Sequence, residues 1–341
     1  MRVVELTSHG GPGVLVGSTR PVPVPAADQL LVRVGACGVC GHDTLARRGL
    51  LAAPVGSVLG HEIAGRVEVV GSDVSSSWVG RRVALVQRIP CGLCADCLTG
   101  RTPRCRQGPG FYGEDLPGGY AEFVVASPLN AVPLPDSVDD VTGALLSCAV
   151  GTGLRALRSA QVTAGEVVIV TGAGGGVGIH TVQVARHLGA TVLAVTGSAG
   201  KEQAILDAGA AKVAVLPGVG ELRRIAATLD RPRGVDVVIE TTGAPTFNLG
   251  LRALRPGGRL VLVGNTVPAD LPLDPGLVIV KELRVLGSAH ATRTDLEEVV
   301  DMVTRGAIRT MTAHVWPLEQ AAAAHTEVDA RTLVGRAVLR P

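Results

Sequence analysis

The stretch EVVIVTGAGGGVGIHTVQVARHLGATVLAVT, residues 166–196, decides the fold of this chain. It begins and ends with short β-branched runs that are typical of buried strands, and residues 179–190 between them have the apolar spacing of an amphipathic helix. The glycines at 172–178 let the backbone approach a pyrophosphate at the N-terminus of that helix. The strand context favours a dinucleotide-binding unit over the alternative, a merely flexible glycine turn.

The alternation of strand-like and helix-like segments continues downstream of this unit. Helix-like segments lie at 200–209 and 220–229. Further strands are predicted at KVAVL (212–216), VDVVIE (235–240), RLVLVG (259–264) and LRVLGS (283–288). Six strands joined by crossovers require a parallel, doubly wound α/β sheet, with a cofactor across the carboxyl ends of its strands.

The end of the second strand predicts which dinucleotide is bound. NAD-binding units normally carry an acid there for the ribose 2′-hydroxyl, whereas this chain has Thr196. Ser198 and Lys201 follow, and both are able to bind a 2′-phosphate. We therefore expect NADP(H) to be preferred over NAD(H), with the alternative that Lys201 is an ordinary solvated helix residue.

A cluster of four cysteines lies at 91–105, in CGLCADCLTGRTPRC. The spacing C-x2-C-x2-C-x7-C lets Cys91, Cys94, Cys97 and Cys105 converge on one tetrahedral ion. Four thiolates leave no open position, so the pattern predicts a structural zinc rather than four unrelated thiols.

A second set of metal-ligand residue types is more widely spread, in ACGVCGHD (36–43), GHE (60–62) and SCAV (147–150). Cys40, His61 and Cys148 together would form a three-ligand site whose fourth position is left for water or substrate. Asp43 is placed to accept the other ring N–H of His61, and Glu62 to act as a carboxylate behind the metal. Taken singly, Cys148 is equally consistent with a core thiol, and His61 with a loop histidine.

Composition excludes several classes of partner. The 341 residues include 32 Lys+Arg against 30 Asp+Glu, and a net charge of +2 gives no reason to expect nucleic acid or an anionic membrane. No apolar run approaches the roughly 18 residues of a membrane span, and the N-terminal MRVVELTSHGG lacks the pattern of a leader. Seven cysteines, an odd number, argue against a disulfide framework, so we expect a cytoplasmic protein with a small-molecule substrate.

Together these patterns resemble the zinc-containing medium-chain dehydrogenase/reductase family of the alcohol dehydrogenase type. The resemblance covers essentially the whole chain. It implies a GroES-like β-barrel catalytic domain from 1–150 and 289–341, with a structural zinc lobe at 91–105, and a Rossmann NAD(P)-binding domain at 151–288. It also implies two zinc ions per chain: a catalytic one on Cys40, His61 and Cys148, and a structural one on the four-cysteine cluster.

The resemblance extends to the cofactor site and to assembly. The implied cofactor-binding residues are Thr152, Gly172, Gly175, Gly176, Val177, Gly178, Thr196, Ser198, Lys201, Thr241, Gly264 and Asn265. Family members are commonly homodimers or homotetramers, often joined through the edge of the Rossmann sheet, for which strand 283–288 is the candidate here.

Two departures from the family pattern affect the predicted activity. Alcohol-oxidising relatives usually have Ser or Thr where this chain has His42, and many have a histidine where it has Leu45. We predict an alcohol dehydrogenase or carbonyl reductase in which His42 relays the proton, with the alternative that His42 only fills space or bonds a backbone carbonyl.

A second likeness leads to a different reaction. The segments at 171–196, 241–265 and 286–292 resemble the acryloyl-CoA reductase branch of the family. The alternative function is therefore NADPH-dependent reduction of the carbon–carbon double bond of an enoyl-CoA or enone. A non-catalytic binding protein is a third alternative, which the full set of predicted metal ligands disfavours.

Overall fold

The computed structural model describes residues 1–266 and 268–341. The chain divides into two compact units, Met1–Gly151 with His290–Pro341, and Thr152–Ala289. The first unit is thus made from both ends of the chain, and each boundary lies one residue after the one expected from the sequence.

Strands are numbered in chain order within the described residues. Their bounds are β1 Arg2–Leu6, β2 Leu15–Thr19, β3 Leu30–Val39, β4 Glu62–Val70, β5 Arg82–Leu85, β6 Arg88–Ile89, β7 Gly110–Phe111, β8 Phe123–Ala126, β9 Ala131–Pro133, β10 Val167–Val170, β11 Thr191–Thr196, β12 Lys212–Val215, β13 Val235–Glu240, β14 Leu254–Leu262, β15 Arg284–Gly287, β16 Thr312–Pro317 and β17 Arg336–Arg340.

Helices are numbered in the same way. Their bounds are α1 Gly41–Arg47, α2 Ala95–Leu98, α3 Asp140–Leu145, α4 Gly151–Ser159, α5 Gly176–His187, α6 Glu202–Asp207, α7 Val219–Ala227, α8 Phe247–Ala253, α9 Pro275–Val280, α10 Arg293–Thr304 and α11 Ala321–Ala330. One π-helical turn, Leu146–Val150, lies between α3 and α4. In the part of the chain that the structure describes, none of the helices combines the length and the apolarity needed to cross a membrane.

The first unit is built on a seven-stranded sheet in the order β16-β17-β3-β4-β5-β9, with β8 also paired to β3. Strand β3 pairs with β4, and the register shifts twice, between Leu31 and Val32 and between Val34 and Ala36. Such irregularities bend a strand and increase its twist, which allows the sheet to curl around its own buried side chains. Strand β17 pairs with the end of β3, so the returning C-terminal segment joins this sheet.

The second unit contains a six-stranded sheet in the order β12-β11-β10-β13-β14-β15, and each pair is parallel. Every residue of the central strands β10 and β13 is buried, because helices cover both faces of such a sheet. This confirms the predicted doubly wound sheet. Strand β14 begins at Leu254 rather than at the predicted residue 259, because Leu254 pairs with Val235 ahead of a register shift. The proline and glycines at 256–258 hide this earlier start in the sequence.

Candidate metal and nucleotide sites

Four buried side chains of the first unit converge at one point. Cys40 caps the N-terminus of α1, His61 and Glu62 lie where β4 begins, and Cys148 lies in the π-helical turn. One potential ligand atom from each lies within 4.8 Å of the others. Residues that are distant in sequence are therefore assembled into a set of two thiols, one imidazole and one carboxylate.

Asp43 fixes the orientation of His61. Its Oδ1 atom lies 3.0 Å from His61 Nδ1, and its Oδ2 atom accepts a hydrogen bond of 2.8 Å from the backbone N–H of Cys40. Burial alone would raise the pKa of Asp43, but the charge of His61 and the hydrogen bond with it outweigh burial and hold that pKa below its usual value. With Nδ1 engaged, Nε2 is the ring nitrogen left to bind a metal.

Glu62 is fully buried beside the two thiols. Burial raises its pKa to about 7 against the opposing charge of Arg336, whose Nη2 lies 2.8 Å from Glu62 Oε1. Neither carboxylate oxygen accepts a hydrogen bond of good geometry from the described residues. A Cβ on Gly38 would lie 2.1 Å from Glu62 Oε2, so only glycine leaves room for this side chain.

The electrostatics of the cluster fit a cation. The hydrogen bond from Cys148 lowers the pKa of Cys40 well below that of an ordinary thiol despite burial, with Arg336 and His61 acting in the same direction. The Cys40 thiolate and the Glu62 carboxylate, which accepts no hydrogen bond of good geometry from the described residues, are anionic groups suited to bind a divalent ion. Cysteine, histidine and a carboxylate are the ligands that zinc takes in proteins.

His42 lies at the edge of this cluster. Its Nε2 atom is 2.7 Å from Glu114 Oε1, and its ring centroid is 5.1 Å from that of His61 and 5.2 Å from that of Phe111. About a third of the His42 side chain (35%) is exposed. The second departure, Leu45, is a buried apolar residue.

The four-cysteine cluster has the geometry of a closed metal site. The sulfurs of Cys91, Cys94, Cys97 and Cys105 all lie within 4.8 Å of one another, and none of these cysteines is in a disulfide. Backbone N–H groups point at the sulfurs: that of Cys94 donates to Cys91 at 3.3 Å, and that of Cys91 to Cys105 at 3.3 Å. Burial would raise the pKa of Cys105, but hydrogen bonds from the backbone N–H groups of Cys91 and Gln107 outweigh burial and lower that pKa to about 6. Four thiols held in this way fit a structural zinc ion.

The glycine turn of the second unit is so tight that side chains would not fit at two of its positions. Gly172 has a positive φ of 56°, and a Cβ there would lie 2.6 Å from Thr241 Oγ1. A Cβ on Gly178 would lie 2.2 Å from the carbonyl oxygen of Gly172. Gly175 caps α5, whose first residues are Gly176 and Val177. The turn therefore presents bare backbone at a helix N-terminus, as a pyrophosphate requires.

Lys201 lies over this turn. Its side chain is buried, and a Cβ on Gly174 would be 2.5 Å from Lys201 Cδ. Burial lowers the pKa of Lys201, so the alternative of a solvated helix residue does not describe it. Thr196 is buried and its Oγ1 accepts a hydrogen bond of 3.3 Å from the backbone N–H of Ser198, whose side chain is exposed.

The remaining predicted cofactor residues also lie in the second unit. Thr241 Oγ1 donates to the carbonyl oxygen of Thr171 at 2.7 Å, and a Cβ on Gly264 would lie 2.1 Å from the carbonyl oxygen of Thr241. Asn265 follows Gly264 where β14 ends. Thr152 contributes a buried hydroxyl that has no hydrogen-bond partner among the described residues. Thr241, Gly264 and Asn265 thus lie where β13 and β14 end, next to Gly172.

Sequence reasoning missed two charged residues of the first site. Arg336 is 274 positions from its partner Glu62, and Glu114 lies in a loop that carries no motif. The available signal for Arg336 was that the resemblance assigns residues 289–341, which contain it, to the catalytic domain.

Comparisons with known proteins agree with this geometry. Residues 26–136 match the alcohol dehydrogenase GroES-like domain, and residues 176–305 match the zinc-binding dehydrogenase domain. An acryloyl-coenzyme A reductase of Sulfurisphaera tokodaii is 33% identical over 94% of this chain and 95% of its own length. The chain belongs to the zinc-containing medium-chain dehydrogenase/reductase family. It is therefore an oxidoreductase with a GroES-like unit and a Rossmann unit.

This medium-chain dehydrogenase/reductase is also similar to two solved structures. The crystal structure of AibC is 42% identical, with a TM-score of 0.92 over 100% of this chain and 96% of that one. The cobalt- and zinc-bound thermostable alcohol dehydrogenase of Pyrobaculum aerophilum is 30% identical, with a TM-score of 0.91 over 100% of this chain and 99% of that one. The chain is thus similar both to a metal-containing alcohol dehydrogenase and to an acryloyl-coenzyme A reductase.

Proposed function

We propose that this protein is a zinc-dependent alcohol dehydrogenase or carbonyl reductase that uses NADP(H). The observation that carries the proposal is the buried set of Cys40, His61, Cys148 and Glu62, whose ligand atoms lie within 4.8 Å of one another. A metal site needs ligands and also neighbouring groups that orient those ligands. Here Asp43 orients His61, and Arg336 lies against Glu62.

The chain's own residues define the chemistry of the site. Cys40, His61 and Cys148 would hold the catalytic zinc, Glu62 would stand beside them, and the four-cysteine cluster would hold a second, structural zinc. A bound zinc would act as a Lewis acid towards the substrate oxygen, and a bound dinucleotide would supply or accept the hydride. Asp43 keeps His61 in the tautomer that binds a metal through Nε2.

His42 and Glu114 would handle the proton of the reaction. The hydrogen bond between His42 Nε2 and Glu114 Oε1, at 2.7 Å, joins two side chains that are both in contact with solvent. We assign to His42 the proton that leaves or joins the substrate oxygen, and to Glu114 its exchange with water. Replacing Glu114 with Gln should therefore lower kcat more than it changes KM.

The cofactor preference rests on the end of β11. Thr196 places no carboxylate there, so the acid that would repel a 2′-phosphate at this position is missing. The exposed Ser198 and the neighbouring Lys201 offer a hydroxyl and a cation to bind that phosphate. Fluorescence titration should give a lower Kd for NADPH than for NADH. A lower Kd for NADH would contradict this assignment and leave the rest of the proposal intact.

Reduction of a conjugated double bond is the second candidate function, favoured by the 33% identity to the acryloyl-coenzyme A reductase. Cinnamaldehyde offers both a carbonyl and a conjugated double bond, so one reaction with NADPH separates the two candidates. We expect cinnamyl alcohol, identified by mass spectrometry and NMR, and its loss in Cys40→Ala. The saturated aldehyde as product would favour the second candidate.

We also propose that the protein is a cytoplasmic homodimer or homotetramer that binds neither nucleic acid nor a membrane. Its seven cysteines are unpaired, as in a reducing compartment. Strand β15 is the outermost strand of its sheet, and Ile279 and Val280 of α9 are 72% and 83% exposed. Light scattering that finds a monomer at micromolar concentration would contradict the assembly.

A further inference from the structure

Glu240 is a fully buried carboxylate at the end of β13 in the second unit. Its Oε1 atom accepts hydrogen bonds from the hydroxyls of Thr171 at 2.8 Å, Thr242 at 2.7 Å and Thr246 at 2.7 Å. It also accepts from the backbone N–H groups of Thr242 at 2.9 Å and Gly243 at 3.0 Å. Because an ionised carboxylate only accepts hydrogen bonds, it is the side chain suited to so many donors.

These bonds fix the loop at 241–246. Thr246 also reaches the second carboxylate oxygen of Glu240, at 2.8 Å, so the loop is bound to Glu240 at both of its ends. The Thr171 hydroxyl that donates to Glu240 accepts in turn from the backbone N–H of Thr241, at 2.9 Å. The loop is therefore tied both to its own strand β13 and to the end of β10.

The same loop contacts the other strand ends that form the predicted nucleotide site. Thr241 Oγ1 leaves no room for a Cβ on Gly172, and the Thr241 carbonyl leaves none on Gly264. The backbone N–H and hydroxyl of Thr266 both lie 3.0 Å from the carbonyl oxygen of Thr242. Glu240 thus lies behind the surface on which β10, β13 and β14 end, without being part of that surface.

We propose that Glu240 is a positioning residue for the dinucleotide: it presets the 241–246 loop against the glycine turn so that the binding surface exists before the ligand arrives. This inference rests on the proposed dinucleotide-dependent function. A preset surface binds more tightly because the cost of ordering the loop is met in folding rather than in binding. Removing the charge of Glu240 should therefore weaken nucleotide binding more than it weakens the fold.

The same strand provides a matched control. Asp236, near the other end of β13, is also a buried carboxylate with several partners: Arg231 at 2.8 Å, Arg255 at 2.6 Å and the backbone N–H of Val167 at 2.8 Å. It lies at the amino end of the parallel sheet, away from the strand ends where a dinucleotide binds. Asp236→Asn therefore reports loss of stability in this unit without loss of the preset loop.

The experiment compares the wild-type protein, Glu240→Gln, Glu240→Ala and Asp236→Asn, each purified with its metal. NADPH affinity is measured by fluorescence titration, and thermal unfolding is measured without nucleotide. We expect Glu240→Gln to raise the Kd for NADPH about tenfold, the effect of about one charge-assisted hydrogen bond, and Glu240→Ala to raise it further. Asp236→Asn should bind NADPH with a Kd within about twofold of wild type. Its unfolding midpoint should nevertheless fall at least as far as that of Glu240→Gln.

Steady-state kinetics give an independent readout. In Glu240→Gln the KM for NADPH should rise, whereas kcat at saturating NADPH should stay within about twofold of wild type, because the chemical step is untouched. A Kd in Glu240→Gln within about twofold of wild type would overturn the inference, and this variant decides if Glu240→Ala does not fold. Equal weakening in Asp236→Asn would overturn it as well. Failure of the wild-type protein to bind any nicotinamide dinucleotide would instead overturn the proposed function itself.

Discussion

Mild acid should destabilise the first unit through one buried histidine, His325. The side chain is fully buried in α11, where Nε2 lies 2.9 Å from the Tyr120 hydroxyl and Nδ1 lies 3.2 Å from Nη1 of Arg47. Burial lowers its pKa from 6.5 to about 4; Asp43 acts against this shift, and Arg47 acts with it. The arginine donates to Nδ1, so the ring is held neutral and protonation would break that contact.

The sign of the pH effect follows from these pKa values. Between pH 6.5 and pH 4 the unfolded chain binds a proton at this histidine and the folded chain does not, so stability falls as the pH falls. From pH 7.5 to pH 5 the loss of unfolding free energy is about 2 kcal/mol, and over the whole interval it is roughly 3 kcal/mol. Above pH 6.5 this contribution to stability is fully present.

The assay is urea unfolding at pH 7.5 and pH 5, followed by tryptophan fluorescence. Both tryptophans, Trp78 and Trp316, belong to the first unit, so the signal reports the unit that contains His325. Between pH 7.5 and pH 5, the unfolding free energy of wild type should fall by about 2 kcal/mol more than that of His325→Gln. Glutamine keeps a hydrogen-bond acceptor and a donor but does not titrate. The matched control is His9→Gln, since His9 is exposed. An equal loss in wild type and His325→Gln would refute the reasoning.

Three further predictions concern the metal lobe and the nucleotide site. Cys94→Ser should halve the zinc content and lower the unfolding midpoint while NADPH still binds. Elemental analysis measures the zinc content, and Leu98→Ser, at an exposed residue, is the control. Full zinc content in Cys94→Ser would contradict the structural site. Gly178→Ala places a Cβ 2.2 Å from a backbone oxygen of the turn and should raise the Kd for NADPH at least about tenfold, whereas Gly220→Ala, which has room, should not. Thr196→Asp should move the ratio of kcat/KM values from NADPH towards NADH by about tenfold, and an unchanged ratio would place the 2′-phosphate elsewhere.

Local patterns in the sequence predicted the strands and the glycine turn of the second unit. Its central strands are runs of β-branched residues buried on both faces, so hydrophobicity alone marks them. The glycine turn is recognisable by its spacing, and a Cβ on Gly172, Gly174 or Gly178 would lie within 2.6 Å of a neighbouring atom. The sequence pattern favours a helix over 295–308, whereas helix α10 runs from Arg293 to Thr304. Its start carried a readable signal, since Thr292 and Asp295 form a capping box. Gly306, with a positive φ of 70°, lies just beyond its end.

Polar partners that meet across the fold could not be predicted from local patterns. The partners of Glu62, His42 and Tyr120 are 274, 72 and 205 positions away. Spacing and periodicity describe neighbours along one element, and they contain no information on which carboxylate will face which arginine once strands from both ends of the chain pair. Glu240 was missed for a different reason: a single acid at the end of an apolar strand looks like a strand terminator, and only its donors identify its role.

The pairing of β17 with β3 also has a consequence for the order of synthesis. The ribosome makes the strand that carries Glu62 first, then the whole of residues 152–289, and only afterwards the strand that carries Arg336. Until that last strand emerges, the nascent first unit has an open sheet edge, and the carboxylate of Glu62 has no arginine beside it. Pairing of β17 with β3 and placement of Arg336 beside Glu62 are therefore late events, which follow translation of the second unit.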